Sequence, residues 1–307
     1  MTSLSLHGRI TPRRGAVLVA AALALALGAA AVADNRVPAA ATSLVQWLRP
    51  SPDPASLPLG PVLQRAVQRG ALVVGVRSYA RPAPPGALTP AEPDSYDVAL
   101  AQALADRLGL RLQLLGVDAA SQDAALRNHL VDLVVAGAAD GRQSPGIALA
   151  EGNYDSAPGL LLSLRSGKVR GAGDLAGQSV CVVQGSGFAQ TVQGRQGAQP
   201  KTYPSSVHAA SAFMAGECQA LADHADVLER LLRNDEWRFY RAIVRGLVPE
   251  GDAAARLVAG DEPSRAWLGA AVREWQSSGG QDRARSARVG NVQFEVGLLK
   301  DGLVCHS

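Results

Sequence analysis

Aromatic residues make up only 4% of the 307 residues, and a net charge of +3 leaves little electrostatic asymmetry. The arginines are scattered, so the chain carries no basic patch of the kind that binds nucleic acid. Cysteine is nearly absent: Cys181, Cys218 and Cys305 are the only three. None has zinc-ligand spacing and the histidines do not cluster with them, so neither a metal nor another cofactor is expected. No nucleophile elbow, phosphate loop or pair of catalytic carboxylates is present. Glu151, Asp155 and His208 could be combined into an acid–base set, but nothing in their spacing requires it, and no enzyme activity is expected. Beyond the first 33 positions no apolar run is long enough to span a bilayer.

The N-terminus does carry one long uncharged run. Arg9, Arg13 and Arg14 precede Gly15 to Ala33, and Asp34 restores charge. A basic start, an apolar centre and the small residues Ala31-Val32-Ala33 read as a secretory signal cleaved before Asp34. The run is also close to the roughly 20 residues that cross a membrane, so a retained anchor is the alternative. Either outcome puts the remainder in the periplasm, free or tethered to the inner membrane. Residues 34 to 60, rich in Pro, Ala and Ser, read as a linker. In an oxidising compartment, a pair of the cysteines is expected to bridge.

From Val62 the pattern is globular. A helix (Val62 to Gln68) leads to the apolar strand Ala71–Val76 and a Pro-rich loop from Ser78 to Ser95. Ala101, Leu104, Ala105 and Leu108 recur at helical spacing over Tyr96 to Leu108, and Gly109 stops that helix. A strand (Arg111–Val117), a helix (Gln122–Leu130) and a strand (Val131–Gly137) follow. The alternation restarts with strand Ser179–Val183, the loop Gly185-Ser186-Gly187, helices Phe188–Gln193 and Ser206–Met214, and strand Ala220–Ala222. It continues with helix Val227–Leu232, strand Phe239–Val248 and helix Ala266–Ser277. Strand–helix–strand alternation builds parallel sheets, and two such units in series predict two lobes with a ligand cleft at the strands' carboxyl ends.

The order of several motifs carries more information than any one of them. Arg69-Gly70-Ala71-Leu72-Val73-Val74-Gly75-Val76, Tyr96-Asp97-Val98-Ala99-Leu100-Ala101, Arg107-Leu108-Gly109 and Val131-Asp132-Leu133-Val134-Val135 resemble the first lobe of extracytoplasmic solute-binding proteins of polar amino-acid ABC transporters (family 3). Tyr154-Asp155, Asp174-Leu175-Ala176-Gly177 and Val180-Cys181-Val182-Val183-Gln184-Gly185-Ser186 are similar to the entry of that family's second lobe. Gly216-Glu217-Cys218-Gln219-Ala220 stands where its general, glutamate-type subgroup has Gly-Arg-Cys-Asp-Ala. The resemblance, covering roughly Val62 to Gly280, implies a type II periplasmic-binding-protein fold of two parallel α/β lobes. Lobe 1 would span residues 61–163 and lobe 2 residues 164–245, with 246–307 returning to lobe 1 and ending in a tail. The crossings are expected near Leu162–Lys168 and Arg238–Gly246, with the Ala266–Ser277 helix packed on lobe 1. It also implies a Cys181–Cys218 bridge inside lobe 2, since both positions carry Cys in the subgroup and neighbouring strands lie close enough for one.

The ligand implied is a zwitterion, which needs donors for a carboxylate and an acid for an ammonium. The family positions assign Arg142 as a bidentate carboxylate grip. Ser186, before a helix, is a second donor or only its cap. Ungapped from Gln219-Ala220, the family's ammonium-binding Asp falls on His224, and a one-residue slip gives Asp223. Tyr79 and Tyr96 are placed to pack on the ligand. Arg77 and Arg81 flank Tyr79, as ligand contacts or solvated loop residues. Departures gather around this cleft: Gln219 replaces the family's Asp, Ser186-Gly187 its two Thr, and Ala138 to Arg142 a shortened Thr-x-Glu-Arg box. The resemblance therefore implies capture of a polar amino acid, or a related small carboxylate, for delivery to an ABC permease. The departures leave room for a sensor or assembly partner using the same fold without transport, and a cyclohexadienyl-dehydratase-like enzyme shares that fold.

Overall fold

The computed structural model describes residues 52–81, 90–138, 144–251 and 253–303; the side chains of 300–303 are outside the description. Among the described residues no helix is long and apolar enough to cross a membrane.

Two mixed α/β sheets make two lobes. Helix α1 (Pro61–Arg69) leads into β1 (Ala71–Ala80); β2 (Ala91–Pro93), α2 (Ser95–Leu108), β3 (Arg111–Val117), α3 (Gln122–Arg127), β4 (Leu133–Val135) and β5 (Ile147–Leu149) complete the first pass through lobe 1. In its sheet β1 lies between β3 and β4, parallel to both. β11 (Arg256–Val258) joins later, antiparallel to β4 and β5. Buried Leu72, Val74 and Val76 of β1 alternate toward a core shared with α1, α2 and α7 (Glu262–Ser277). The expected helix Ala266–Ser277 thus packs on lobe 1, beginning four residues earlier because Asp261 caps it at Ser264 N.

Lobe 2 has the order β10-β6-β9-β7-β8. Its parallel strands are β7 (Ser179–Val183), β8 (Gln199–Tyr203) and β9 (Ala220–His224); β6 (Gly159–Leu164) pairs antiparallel with β9 and β10 (Tyr240–Leu247) antiparallel with β6. Helix α4 (Phe188–Gln196) covers one face. Helices α5 (Ser206–Met214), α6 (Ala225–Leu231) and α8 (Gly280–Leu303) cover the other. Cys181 and Cys218 are joined there, with their Cα atoms 5.6 Å apart and both side chains buried.

Two expectations change. The segment Leu162–Lys168 covers the end of β6 and the turn after it, and Arg238–Gly246 falls mostly within β10, both in lobe 2, so the chain crosses between β5 and β6 and again between β10 and β11. The crossings run side by side, tied by Tyr154 N–H donating to the Ala253 carbonyl and Ala150 N–H to the Ala255 carbonyl, both at 2.8 Å. The segment after α7 is no loose tail over its described length: α8 runs 24 residues and packs on both lobes.

Candidate functional site

The lobes meet at the carboxyl ends of β1, β4, β7 and β9, the edge where open α/β sheets bind ligands. They touch directly: Ala138 N–H donates to the Gly185 carbonyl at 2.7 Å. Both Gly137 and Gly185 have φ of 73°. A Cβ on Gly137 would lie 2.4 Å from the Gly185 oxygen, so this approach requires glycine there.

Arg77 spans the gap. Its Nε and Nη2 donate to the two oxygens of Asp97 at 2.7 and 3.1 Å, and Nη1 donates to the lobe-2 carbonyl of Gln184 at 3.0 Å. Asp94 lies 3.4 Å from the same guanidinium. Asp94 also caps α2, accepting from Tyr96 N and Asp97 N, while its other oxygen accepts from the Tyr79 hydroxyl at 2.9 Å. Burial opposes charge on Asp94, yet Arg77 and these donors hold its pKa below the usual carboxylate value. Burial and Asp94 together raise the pKa of Tyr79, whose hydroxyl stays a donor.

Arg77 and Tyr79 divide the cleft into a cavity of about 30 Å³, bordered by Asp118 and Gln122, and one of about 130 Å³. Ser186, Ser206, Asp223, His224 and Arg288 also line the larger. Asp223, 1% exposed, accepts from His224 N at 2.7 Å and is hydrogen-bonded by the Ser206 side chain. Burial pushes its pKa up against the opposing charges of His224 and Arg288, both of which make their ion pairs with Asp155; among the described residues no salt bridge is made to Asp223 itself. The neighbouring acids are already matched. Arg77 serves Asp94 and Asp97, and Arg288 pairs with both oxygens of Asp155 at 2.8 and 3.3 Å. Burial resists charge on Asp155, but His224, with Nε2 3.4 Å away, and Arg288 outweigh it and hold the carboxyl well below its ordinary range. His224 Nδ1 and Arg288 Nε are buried without hydrogen-bond partners.

Of the residues assigned from sequence, Tyr79, Ser186 and Asp223 come together on the larger cavity. The Ser186 hydroxyl donates to the Val183 carbonyl at 2.7 Å and accepts from Phe188 N at 3.4 Å, so its proton is used locally. Tyr96 does not line the cavity. It is 1% exposed in the lobe-1 core, donates to the Tyr154 carbonyl at 2.7 Å and lies beneath Arg288. Arg142 lies outside the described residues. Glu151, Asp155 and His208 have separate partners: Arg273 for Glu151, Arg288 for Asp155, and Ser205 for His208. Arg77 is neither a solvated loop residue nor free for an acidic ligand, because Asp94 and Asp97 hold it. Sequence reading did not find the roles of Asp94, Ser206 and Arg288; the first two sit at helix starts, where capping is the common role.

No protein-family profile matches the chain, and no curated protein matches it by sequence. Solved structures do. An amino-acid ABC transporter substrate-binding protein, AbpA from Streptococcus pneumoniae bound to L-arginine, superposes with a TM-score of 0.55 at 17% identity, covering 75% of this chain and 98% of that one. The solute receptor for L-cysteine of Neisseria gonorrhoeae gives 0.53 at 18%, covering 75% and 94%. The ancestral amino-acid-binding protein AncCDT-1, a precursor of cyclohexadienyl dehydratase, gives 0.54 at 18%, covering 74% and 98%. The architecture is that of type II periplasmic binding proteins, and the fold is one used by amino-acid-binding proteins of ABC transporters.

Proposed function

We propose that the chain is an extracytoplasmic solute-binding protein whose larger cavity takes a small ligand bearing an ammonium and a carboxylate. The observation that carries this reading is Asp223, a buried carboxylate on the cavity wall left without a cation where its neighbours each have one. Burying an unpaired charge is costly, and a ligand ammonium would supply the partner. Arg288, which lines the cavity, is the cation for the ligand's other end, while the Ser206 hydroxyl is engaged by Asp223. A cavity of about 130 Å³ is close to the engineered 150 Å³ site that holds benzene, so about six or seven heavy atoms fit. Alanine, serine and cysteine are of that size; arginine is too large for the cavity in this state. Arg142 is proposed as a further carboxylate contact, and an ABC permease as the partner that receives the ligand.

A thermal-shift panel of the soluble region against the amino acids and small carboxylates tests this. A ligand at 100 times its Kd stabilises by about 2.7 kcal/mol, and small amino acids are expected to raise the melting temperature while long ones do not. Stabilisation by carboxylates lacking an amino group, with none by amino acids, would overturn the assignment of Asp223. A second reading, a sensor or assembly partner without transport, is favoured by the bridging of both lobes by α8.

A further inference from the structure

We propose that α8 is a built-in strap that holds the two lobes closed in the absence of any ligand and forms the third wall of the cleft. Its first half belongs to lobe 1. Ala284 enters the lobe-1 core, and Gln281 donates to the Tyr154 carbonyl at 2.7 Å. Arg288 lies with its guanidinium carbon 4.2 Å from the centre of the Tyr96 ring while pairing with Asp155 on the crossing. Its second half belongs to lobe 2. Val292 and Val296 are buried in the core of α5 and α6, with Val289 and Leu299 packed beside them. The Gln293 amide oxygen accepts from Arg230 of α6 at 2.5 Å, and its nitrogen donates to Asn234 at 3.4 Å.

A rigid helix seated on both lobes converts a hinge into a fixed joint, because opening must strip it from one of them. The helix is not behind the hinge alone. Arg288, Asn291, Val292 and Glu295 line the larger cavity beside Ser95 and Arg81, and Asn291 donates to the Ser95 hydroxyl at 3.4 Å. One helix therefore both closes the cavity and ties together its two sides. The seats are strong ones: a bidentate guanidinium–carboxylate pair stacked on an aromatic ring at one end, and a row of valines in a packed core at the other. Empty and occupied protein then share one shape, and ligand exchange waits on release of α8 from lobe 2.

Distance measurement between spin labels tests this without a ligand, so its outcome is separate from that of the amino-acid panel. Labels go on Arg127→Cys in lobe 1 and Gln193→Cys in lobe 2, both exposed, with Cys305→Ser removing the third thiol. The ligand-free protein is expected to give one narrow distance, that of the closed structure. Val292→Ala with Val296→Ala, which shrinks the seat on lobe 2 without adding charge, is expected to add a second, longer population. Val292→Asp with Val296→Asp should move most molecules to it, provided circular dichroism shows the chain still folded; if it does not, the alanine pair decides alone. A broad or open distribution in the parent overturns the proposal, and so does an alanine variant as narrow as the parent.

Discussion

Replacement of Arg77 by Met is expected to cost about 3–5 kcal/mol of unfolding free energy, the penalty for removing one partner of a buried ion pair. Arg77 is 13% exposed at its side chain, and the Asp97 carboxylate it holds is fully enclosed. Without the guanidinium, Asp97 and Asp94 become adjacent buried acids with no counter-charge, and the bond to the Gln184 carbonyl across the lobes is lost as well. Urea denaturation measures the loss. The double variant Arg77→Met with Asp97→Asn should recover part of it, since one of the stranded charges is then gone. A loss below about 1 kcal/mol, the usual range of an exposed pair, would show that Arg77 is solvated.

Loss of the Cys181–Cys218 bridge is expected to cost a similar amount. The two residues are 37 apart in sequence, and the chain-entropy model gives roughly 4 kcal/mol for a loop of about that length, less any native strain. The bridge pins β7 to the turn that opens β9, the strand ending in Asp223 and His224, so its removal loosens the cavity's own support. The variant Cys181→Ala with Cys218→Ala keeps the site small and apolar and should melt well below the parent. Peptide mapping of unreduced protein should give one cross-linked 181–218 peptide. Two alkylatable thiols, or either cysteine bridged to Cys305, would contradict the pairing.

Much of the fold was legible because the elements that build it obey simple periodicities. Arg111–Val117, Ser179–Val183 and Ser206–Met214 begin and end where their patterns do. Strand β8 was missed because Gln199-Pro200-Lys201-Thr202-Tyr203 reads as a polar turn. It lies at the sheet's edge, where proline costs no internal ladder bond. Helix α8 was missed for a different reason. Val289, Val292, Val296 and Leu299 do recur at helical spacing, but Gly290 and Gly297 interrupt them and arginines surround the start. Its partners lie on two lobes, which no local pattern reveals. The site was legible only in part. Tyr79 and Asp223 lie in the last residues of β1 and β9, and Ser186 just past β7, where topology places ligands. Tyr96 sits at the start of α2, but its side chain turns inward to the core. The pairing of Arg77 with Asp97 and of Asp155 with Arg288 joins residues 20 and 133 positions apart, and spacing carries no record of it.

The central claim is that Asp223 is the cavity's ammonium partner. Titration calorimetry of the parent and of Asp223→Asn, with the amino acid that gives the largest thermal shift, tests it most directly. The amide keeps the size and the contact from Ser206 but removes the charge. An ionic hydrogen bond contributes about 1.5–3 kcal/mol, so the variant should bind about 10- to 150-fold more weakly. Because burial raises the pKa of Asp223 in the empty protein and the ammonium favours its ionised form, the parent's affinity should also rise with pH through that titration. The variant's should not. Equal affinity in the two proteins, with the same pH dependence, would contradict the assignment.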